Sequence, residues 1–500
     1  MNPFQEFFSL AVRLRGLAVP ILLGATALAS AAGPASVPGL VVSPDASGQT
    51  GTFHVSGSID TGNPFFLSLG TNGRTCATCH LETQAMSFTP SHARLLFQQT
   101  RGADPLFASV DGANCPNAAA ADPAAHSMIL NNGLIRIFQP VPTNAEFAIS
   151  VVRDPYGCAL RVDPANGVLT ASVYRRPLPS TNLTFLSTVM FDGRETIAPL
   201  SSSATFSANL RTDLTHQALD AVSTHAQGIQ APPDTLVQEI VDFELGLFSA
   251  QFTDDEAGSL SADGATGGPI ALSQANYYPG VNDSLGADPL GNPFTAVSMN
   301  LYSAWTQGRP TAEAERRQRR SDILAGEQLF NTLNITISNV RGLSDNTALG
   351  RPSSFVGHCA TCHDAPNIGD HSLPLPLDIG TSHLADRNFE SDPAIASAQS
   401  QLSAPDLPVF LVSGCPNPFN PGQPESFYTS DPGKALISGK CADFNRVKGP
   451  ILRGLAARAP FFHNGAAASL REVIEFYNAR FAMNLTGTQK RQLVAFLESL

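Results

Sequence analysis

The pentapeptide CATCH occurs twice in this chain of 500 residues, from Cys76 to His80 and again, unchanged, from Cys359 to His363. In each copy two residues separate the cysteines, and a histidine directly follows the second one. This spacing places both thiols on one turn of the backbone, with the imidazole next to them. The fold therefore has to accommodate two copies of one local site.

Cys-x-x-Cys-His is the attachment sequence of c-type haem, in which the thiols form thioethers and the histidine is the proximal iron ligand. A zinc site would need four ligands, and a dithiol redox centre would not need the histidine. Because the motif occurs twice, we predict two covalently bound haem c groups. The predicted haem-binding residues are Cys76, Cys79, His80, Cys359, Cys362 and His363.

The composition predicts a protein of short helices and long loops. Only 14% of the residues are charged, whereas glycine (40) and proline (38) are frequent. Glycine and proline end regular elements, so they indicate turn-rich connections. The predicted fold is therefore mainly α, with two cytochrome c-like haem domains, long loops and little β-structure. The net charge of −12 argues against nucleic acid as a partner.

The first 31 residues have the pattern of an export signal. Arg13 and Arg15 precede the apolar run GLAVPILLGATALASAA, and Ala29-Ser30-Ala31 is a small-residue cleavage pattern. An uncleaved membrane anchor is the alternative, but the run is short for a membrane span. We predict cleavage near Ala31, a periplasmic location and no membrane span in the mature protein.

Four further cysteines lie outside the CATCH motifs, one pair after each motif. In an oxidising compartment they could form the disulfides Cys115–Cys158 and Cys415–Cys441. The alternative is that one pair stays reduced and is simply buried.

The chain repeats one plan, in which a CATCH motif is followed by loops and a closing apolar helix. Residues 40–255 form the predicted N-terminal haem domain, 256–312 a Gly-, Ser- and Pro-rich connecting region, and 313–500 the predicted C-terminal haem domain. Apolar residues at helical spacing predict closing helices within 232–248 and 485–500. Thr486 or Thr488 is the predicted N-cap of the second one.

Several segments resemble the bacterial di-haem cytochrome c peroxidase and MauG superfamily. They are NPFFLSLGTNGRTCATCH (63–80), FLSTVMFDGRE (185–195), LTHQAL (214–219) and VKGPILRGLAARAPFFHNGAAASLREVIEFYN (447–478). Their order agrees with that family, and together they extend over most of the chain after residue 31.

This resemblance implies a peroxidatic N-terminal haem and a C-terminal haem that passes electrons to it. The substrate would be hydrogen peroxide, and the electrons would come from a small periplasmic cytochrome c or cupredoxin, or from an organic substrate. Two alternatives stay open: a MauG-like oxidase or oxygenase acting on an organic or protein substrate, and a plain di-haem electron-transfer protein. The sixth ligand position of the iron separates these functions.

The resemblance also suggests a distal ligand for the second haem iron. In the family this ligand is Met in peroxidases and Tyr in MauG-type members, at a fixed interval after the His-Asp-Gly block. Counting twelve residues from Gly465 reaches Tyr477, which we predict as the ligand. Met483 is the second candidate, and a buried core tyrosine is the alternative.

The chain departs from the family at two positions near the first haem. Phe191 replaces the bridging tryptophan, and Gln227 stands where counting from Gln217 predicts the catalytic glutamate. A glutamine cannot move a proton between the peroxide oxygens. We therefore predict His225 as the acid–base group, with a sixth-ligand role or a surface position as alternatives, and Gln217 as a group that positions peroxide.

The matched segments contain two arginines that could bind haem propionates, Arg194 and Arg453, because a guanidinium pairs well with a carboxylate. Ordinary surface ion pairs are the alternative for both. The resemblance further implies one calcium ion between the domains, held partly by backbone carbonyls of Arg458–Pro460.

Overall fold

The computed structural model describes residues 37–500 except 117, 165, 198–204, 285–293, 296–299, 308–313, 348, 368–374, 385, 387, 391 and 417–421. The predicted export signal at residues 1–31 lies outside the described residues. Residues 38–500 group into one unit by their contacts, and the division into two haem domains stays a prediction.

Helices lie in both halves of the chain. In chain order they are α1 Pro90–Thr100, α2 Ser127–Asn132, α3 Phe206–Thr224, α4 Asp234–Leu245, α5 Pro269–Ser273, α6 Ala314–Thr332, α7 Cys359–Cys362, α8 Pro393–Gln399, α9 Ala435–Ser438, α10 Leu470–Arg480 and α11 Gly487–Glu498. Short 3-10 turns, one of them at the first CATCH motif, lie between these helices.

Strands lie between the helices. They are β1 Leu40–Pro44, β2 Gly48–His54, β3 Ile135–Pro140, β4 Ala148–Arg153, β5 Leu160–Val162, β6 Leu169–Arg175, β7 Leu247–Asp254, β8 Gly258–Ser259, β9 Ile335–Ser338, β10 Ser354–Gly357, β11 Val409–Cys415 and β12 Glu425–Thr429. They form sheets in the orders β1-β2-β7-β8, β3-β6-β5, β12-β11-β4 and β10-β9, with antiparallel pairing throughout.

The prediction of a mainly α fold with little β-structure is wrong. The structure is 34% helix and 17% strand with four sheets, so the fold is mixed α/β. Glycine and proline frequencies predicted loops, but short runs of β-branched and aromatic residues lie between these turn residues, and such runs favour strands. One such run is LTASVYR in β6, the central strand of its sheet, where every residue after Leu169 is buried.

One sheet joins residues from the two halves of the chain. Strand β11 pairs with β12 on one side and with β4 on the other, so that Phe410 lies opposite Val151. Because β4 belongs to the predicted N-terminal domain and β11 to the C-terminal one, backbone hydrogen bonds run between the two predicted domains.

The predicted closing helices are confirmed. Residues 234–245 form α4, and α11 begins after Thr486, whose side chain accepts a hydrogen bond from the Gln489 amide and completes a capping box. Helix α11 packs along α6, where Phe496 contacts Phe330 in the core with ring centroids 5.3 Å apart. None of the helices in the described part of the chain is long and apolar enough to cross a membrane.

Both predicted disulfides are confirmed. The structure joins Cys115 to Cys158 and Cys415 to Cys441, whereas the four CATCH cysteines are free thiols. The second disulfide fixes the bulged end of β11.

Loss of either disulfide is expected to destabilise the fold by a similar amount. The bridges close loops with sequence separations of 43 and 26 residues. The loop entropy of the unfolded chain predicts a loss of about 3–4 kcal/mol in the free energy of unfolding for each bridge. The two values are similar because the loss depends only on the logarithm of the loop length. Denaturant unfolding of two double variants measures the two losses of stability. One variant combines Cys115→Ser with Cys158→Ser, and the other combines Cys415→Ser with Cys441→Ser. A loss below about 1 kcal/mol for either pair would contradict this estimate.

Candidate functional site

The first CATCH motif forms a 3-10 turn that its own threonines close. The Thr75 amide donates to Thr78 Oγ1 at 3.0 Å, and the His80 amide donates to the Cys76 carbonyl at 3.1 Å. The tight turn directs Cys76, Cys79 and His80 into one cavity, which all three residues line.

The His80 ring is held by the backbone that follows the motif. Its Nδ1 lies 3.1 Å from the carbonyl oxygen of Met86, which can only accept, so Nδ1 carries the proton. Ala85 and Met86 have positive φ angles of 49° and 56°, in the turn that leads to this carbonyl. Burial lowers the pKa of His80 to about 4. The ring is therefore neutral at pH 7, and its Nε2 lone pair is available to a metal.

The second CATCH motif repeats this geometry as helix α7. The His358 amide donates to Thr361 Oγ1 at 2.8 Å, and the His363 amide donates to the Cys359 carbonyl at 3.1 Å. Cys359, Cys362 and His363 line a second cavity, whose other walls are mostly apolar. Each of the two identical sequences thus places two cysteines and a histidine in the lining of a cavity.

The two cavities lie side by side and share a wall. The residues that line both are Arg176, Pro177, Leu178, Pro179, Phe191, Lys448 and Ile451. Phe191 is buried, and its ring meets that of His463 at a centroid distance of 5.9 Å. Phe191, which stands where the resemblance implies a bridging tryptophan, therefore lines both cavities.

The residues at the two sites fit a covalently attached haem c. Burial raises the pKa of the Cys79 and Cys359 thiols to about 12. Within the described residues, no group of three or more His, Cys, Asp or Glu side chains could hold a metal ion. Two cysteines on one turn, an adjacent histidine and a mostly apolar cavity are what a covalently attached porphyrin requires.

His225 lines the first cavity and is held from behind by an acidic residue. It caps the C-terminus of α3, and its Nδ1 hydrogen-bonds the carboxylate of Asp111, which also pairs with Arg74. Burial raises the pKa of Asp111, but Arg74 and His225 outweigh it and hold this pKa below its ordinary value. Asp111 is therefore a carboxylate at neutral pH, and it fixes the ring so that Nε2 is the free nitrogen.

Gln217 and Gln227 occupy different environments. Gln217 lies on α3 and lines the first cavity together with His225. Gln227 is exposed, has a φ of 54° and accepts a hydrogen bond from Asn72 Nδ2 at 3.3 Å, outside the residues that line the cavity. The structure brings Gln217 and His225 together and leaves Gln227 at the surface.

Tyr477 and Met483 both line the second cavity. The Tyr477 ring stands nearly perpendicular to that of His363, at an interplanar angle of 81° and a centroid distance of 6.4 Å. Burial raises the pKa of Tyr477 well above its ordinary value, so the phenol is protonated in the absence of a metal. Met483 packs among the apolar residues around Phe481.

The two predicted propionate partners differ in position. Arg194 lines the first cavity and pairs with Asp192 at 3.0 Å. Arg453 is buried, and its Nε donates to the Pro366 carbonyl at 2.9 Å, outside the lining of either cavity. Arg194 therefore lines the first cavity with its guanidinium already paired to a carboxylate, whereas Arg453 supports the loop after the second motif.

The surroundings of Arg458–Pro460 do not suit a calcium ion. The Arg176 guanidinium donates to the Arg458 carbonyl at 3.3 Å, and the buried Arg458 guanidinium donates to the Arg453 carbonyl at 2.6 Å. Calcium requires six to eight oxygen ligands, usually including carboxylates. The Arg176 guanidinium at the Arg458 carbonyl, with the buried Arg458 guanidinium nearby, repels a further cation.

A buried acid in the first cavity was missed by sequence analysis. Glu244 on α4 is 4% exposed, hydrogen-bonds the Ser180 hydroxyl through Oε1 and lines the cavity. Burial raises its pKa to about 7, although the Ser180 hydrogen bond lowers it. The signal in the sequence was a glutamate on the apolar face of the predicted helix 232–248, next to Phe243.

Comparison with known proteins links the chain to cytochrome c peroxidases. Cytochrome-c peroxidase IdrP2 from Denitromonas iodatirespirans is 30% identical over 154 residues, which are 29% of this chain and 36% of that protein. The IdrP2 protein from Pseudomonas sp. (strain SCT) is 25% identical over 235 residues, covering 41% of this chain and 58% of that protein. The matches thus span from about a third to about three-fifths of these curated relatives.

No family model matches the chain. A crystal structure of a MauG-like protein associated with microbial copper homeostasis aligns with 69% of this chain and 79% of that protein, at 14% identity and a TM-score of 0.28. A score this low supports no argument. The similarity to proteins named cytochrome-c peroxidase is limited to part of their length.

We predict that Glu244→Gln removes a pH-dependent loss of stability. The folded carboxyl, with a pKa of about 7, holds its proton more tightly than the unfolded one at 4.5. The free energy of unfolding of the wild type should therefore fall by up to about 3 kcal/mol relative to that of the variant as the pH rises from 4.5 through 7. Below pH 4.5 the difference between the two proteins should not change with pH. Denaturant unfolding across this pH range measures the difference.

Glu239→Gln is the matched control, because Glu239 lies exposed on the same helix. Equal pH profiles for the Glu244→Gln variant and the wild type would contradict the raised pKa.

Proposed function

We propose that this chain is a periplasmic di-haem c-type oxidoreductase that reduces hydrogen peroxide at the first CATCH site. Electrons enter through the second CATCH site from a small cytochrome c, a cupredoxin or an organic substrate. Residues 40–255 would form the peroxidatic domain, 256–312 the connecting region and 313–500 the electron-transfer domain. The observation that carries the proposal is a pair of equivalent Cys-x-x-Cys-His turns that face two cavities with a common wall.

The two sites would each hold one haem through the same set of groups. Cys76 and Cys79, and likewise Cys359 and Cys362, would form the thioethers, with His80 and His363 as proximal ligands. When bound, haem supplies an iron that can take up and reduce peroxide. The Met86 carbonyl holds His80 in the tautomer that leaves Nε2 for this iron.

In the first site, the protein supplies the groups that handle protons. His225 Nε2 is the acid–base atom, and it takes a proton from the near peroxide oxygen and returns it to the far one. Asp111 is a positioning residue, because its carboxylate holds Nδ1 in the donor state and stabilises the charged ring. Gln217 lines the same cavity and would orient the substrate by hydrogen bonds.

In the second site, Tyr477 would be the distal ligand. Its ring faces His363 across the cavity, which supports it over Met483. A phenolate ligand favours oxidised iron, so this site would have a lower potential than one with a methionine ligand.

Phe191 separates the two sites in the shared wall. A phenyl ring is hard to oxidise, so electrons would pass by tunnelling across this wall without a radical on residue 191. Arg194 would pair with a haem carboxylate of the first site.

The experiment that tests the function is steady-state consumption of hydrogen peroxide by protein shown by mass spectrometry to carry two haems. His225→Ala should lower kcat about 100-fold, because the proton-transfer group is lost. Asp111→Asn should lower it roughly tenfold, because the ring loses its fixed orientation. His216→Ala is the control, since His216 is a half-exposed histidine on the same helix, outside the cavity lining.

Wild-type protein with two haems that consumes no peroxide with any donor would refute the proposed function. Normal turnover in the His225→Ala variant would instead remove His225 alone from the reaction.

Tyr477→Phe is expected to change the optical and electron paramagnetic resonance spectrum of the second haem and to leave that of the first unchanged. The variant removes only the phenol oxygen, so a spectral change reports the ligand itself. Met483→Leu is the matched control and should leave both spectra unchanged. A spectral change in the methionine variant alone would assign the ligand to Met483.

A further inference from the structure

A single arginine, Arg176, connects distant parts of the chain at the wall between the two cavities. It directly follows strand β6, its amide donates to the His463 carbonyl at 2.6 Å, and its side chain lines both cavities. Only 6% of the residue is exposed. The position of a buried cation at this wall calls for an explanation, because an unpaired buried charge is costly.

The Arg176 guanidinium donates to three backbone carbonyls that meet from different segments. Nη1 donates to Gly133 at 2.7 Å, and Nη2 donates to Phe88 at 2.7 Å and to Arg458 at 3.3 Å. The group also lies 5.7 Å from the centre of the Phe88 ring, where a cation–π attraction operates. The side chain therefore links residues near the first CATCH motif to the segment 458–463 near the end of the chain.

Burial, and then the charge of Arg458, lower the pKa of Arg176 to about 9. The guanidinium is still charged at pH 7, and the three carbonyl dipoles offset part of the cost of its burial. A cluster of inward-facing carbonyl oxygens is a typical environment for a hard metal cation. Here the planar donors of one arginine satisfy the same oxygens.

We propose that the Arg176 guanidinium is the built-in cation of this junction, where it takes the place of a calcium ion. It neutralises the carbonyl oxygens of Phe88, Gly133 and Arg458 and holds the two cavities at a fixed separation. The junction then needs no metal. This proposal goes beyond the proposed function and does not depend on which oxidant the haem site uses.

The first test uses the full-length di-haem protein as purified. Metal analysis should find much less than one calcium per chain, and EGTA should leave the thermal midpoint and the haem spectra unchanged. One retained calcium per chain, or a midpoint that falls with EGTA and recovers with added calcium, would overturn the proposal.

The second test uses two substitutions of the same residue. Arg176→Met keeps the apolar stem but removes all donors, so the midpoint should fall by at least about 5 °C. Arg176→Lys keeps the charge, but one ammonium cannot reach three separated carbonyls, and the fall should be smaller. Arg471→Met, at an exposed arginine of α10, should leave the midpoint unchanged.

A midpoint for Arg176→Met equal to that of the wild type would overturn the proposal. If the methionine variant fails to fold, the lysine variant and the chelation result decide the outcome. Peroxide turnover is a separate readout: an inactive wild type that is nevertheless stable to EGTA refutes the proposed function and leaves the arginine junction in place.

Discussion

The common wall of the two cavities is the constraint on which the rest of the structure depends. Both CATCH turns are local and would form in many folds, but they work together only if their cavities lie next to each other. The stretch Arg176–Pro179 and Phe191 from one half of the chain, and Lys448 and Ile451 from the other, supply that wall. Strand β6 leads into it from one side, and the loop before α10 from the other.

The wall and the residues next to it contain buried positive charge. Arg176 and Arg458 both donate to backbone carbonyls, and Lys448 Nζ donates to the Thr188 carbonyl at 2.8 Å. In a medium of low dielectric constant such charges attract any anion placed nearby. Two porphyrins with carboxylate groups would find this attraction on either side of the wall. The Arg176 guanidinium, which we propose takes the place of calcium, would thus also favour the proposed cofactors.

Sequence patterns predicted the local features well and the distant ones poorly. The CATCH turns, the capping of α11 by Thr486 and the cysteine pairs follow from residues close together in the chain, and the structure has them. The link from His225 to Asp111 joins residues 114 positions apart, and that from Arg176 to Arg458 joins residues 282 apart. No periodicity marks such pairs. The strands were missed because each is short and lies between turn residues that dominated the composition.

The sheet that contains β4 and β11 has a consequence for the order of assembly. Strands β4 and β11 are more than 250 residues apart in the chain, so their pairing raises the contact order and slows folding. Phe410 of β11 belongs to the buried hydrophobic cluster against which Cys79 of the first CATCH motif packs. Closure of this sheet therefore completes the packing around the first motif, and it does so late because the paired strands are far apart in the chain.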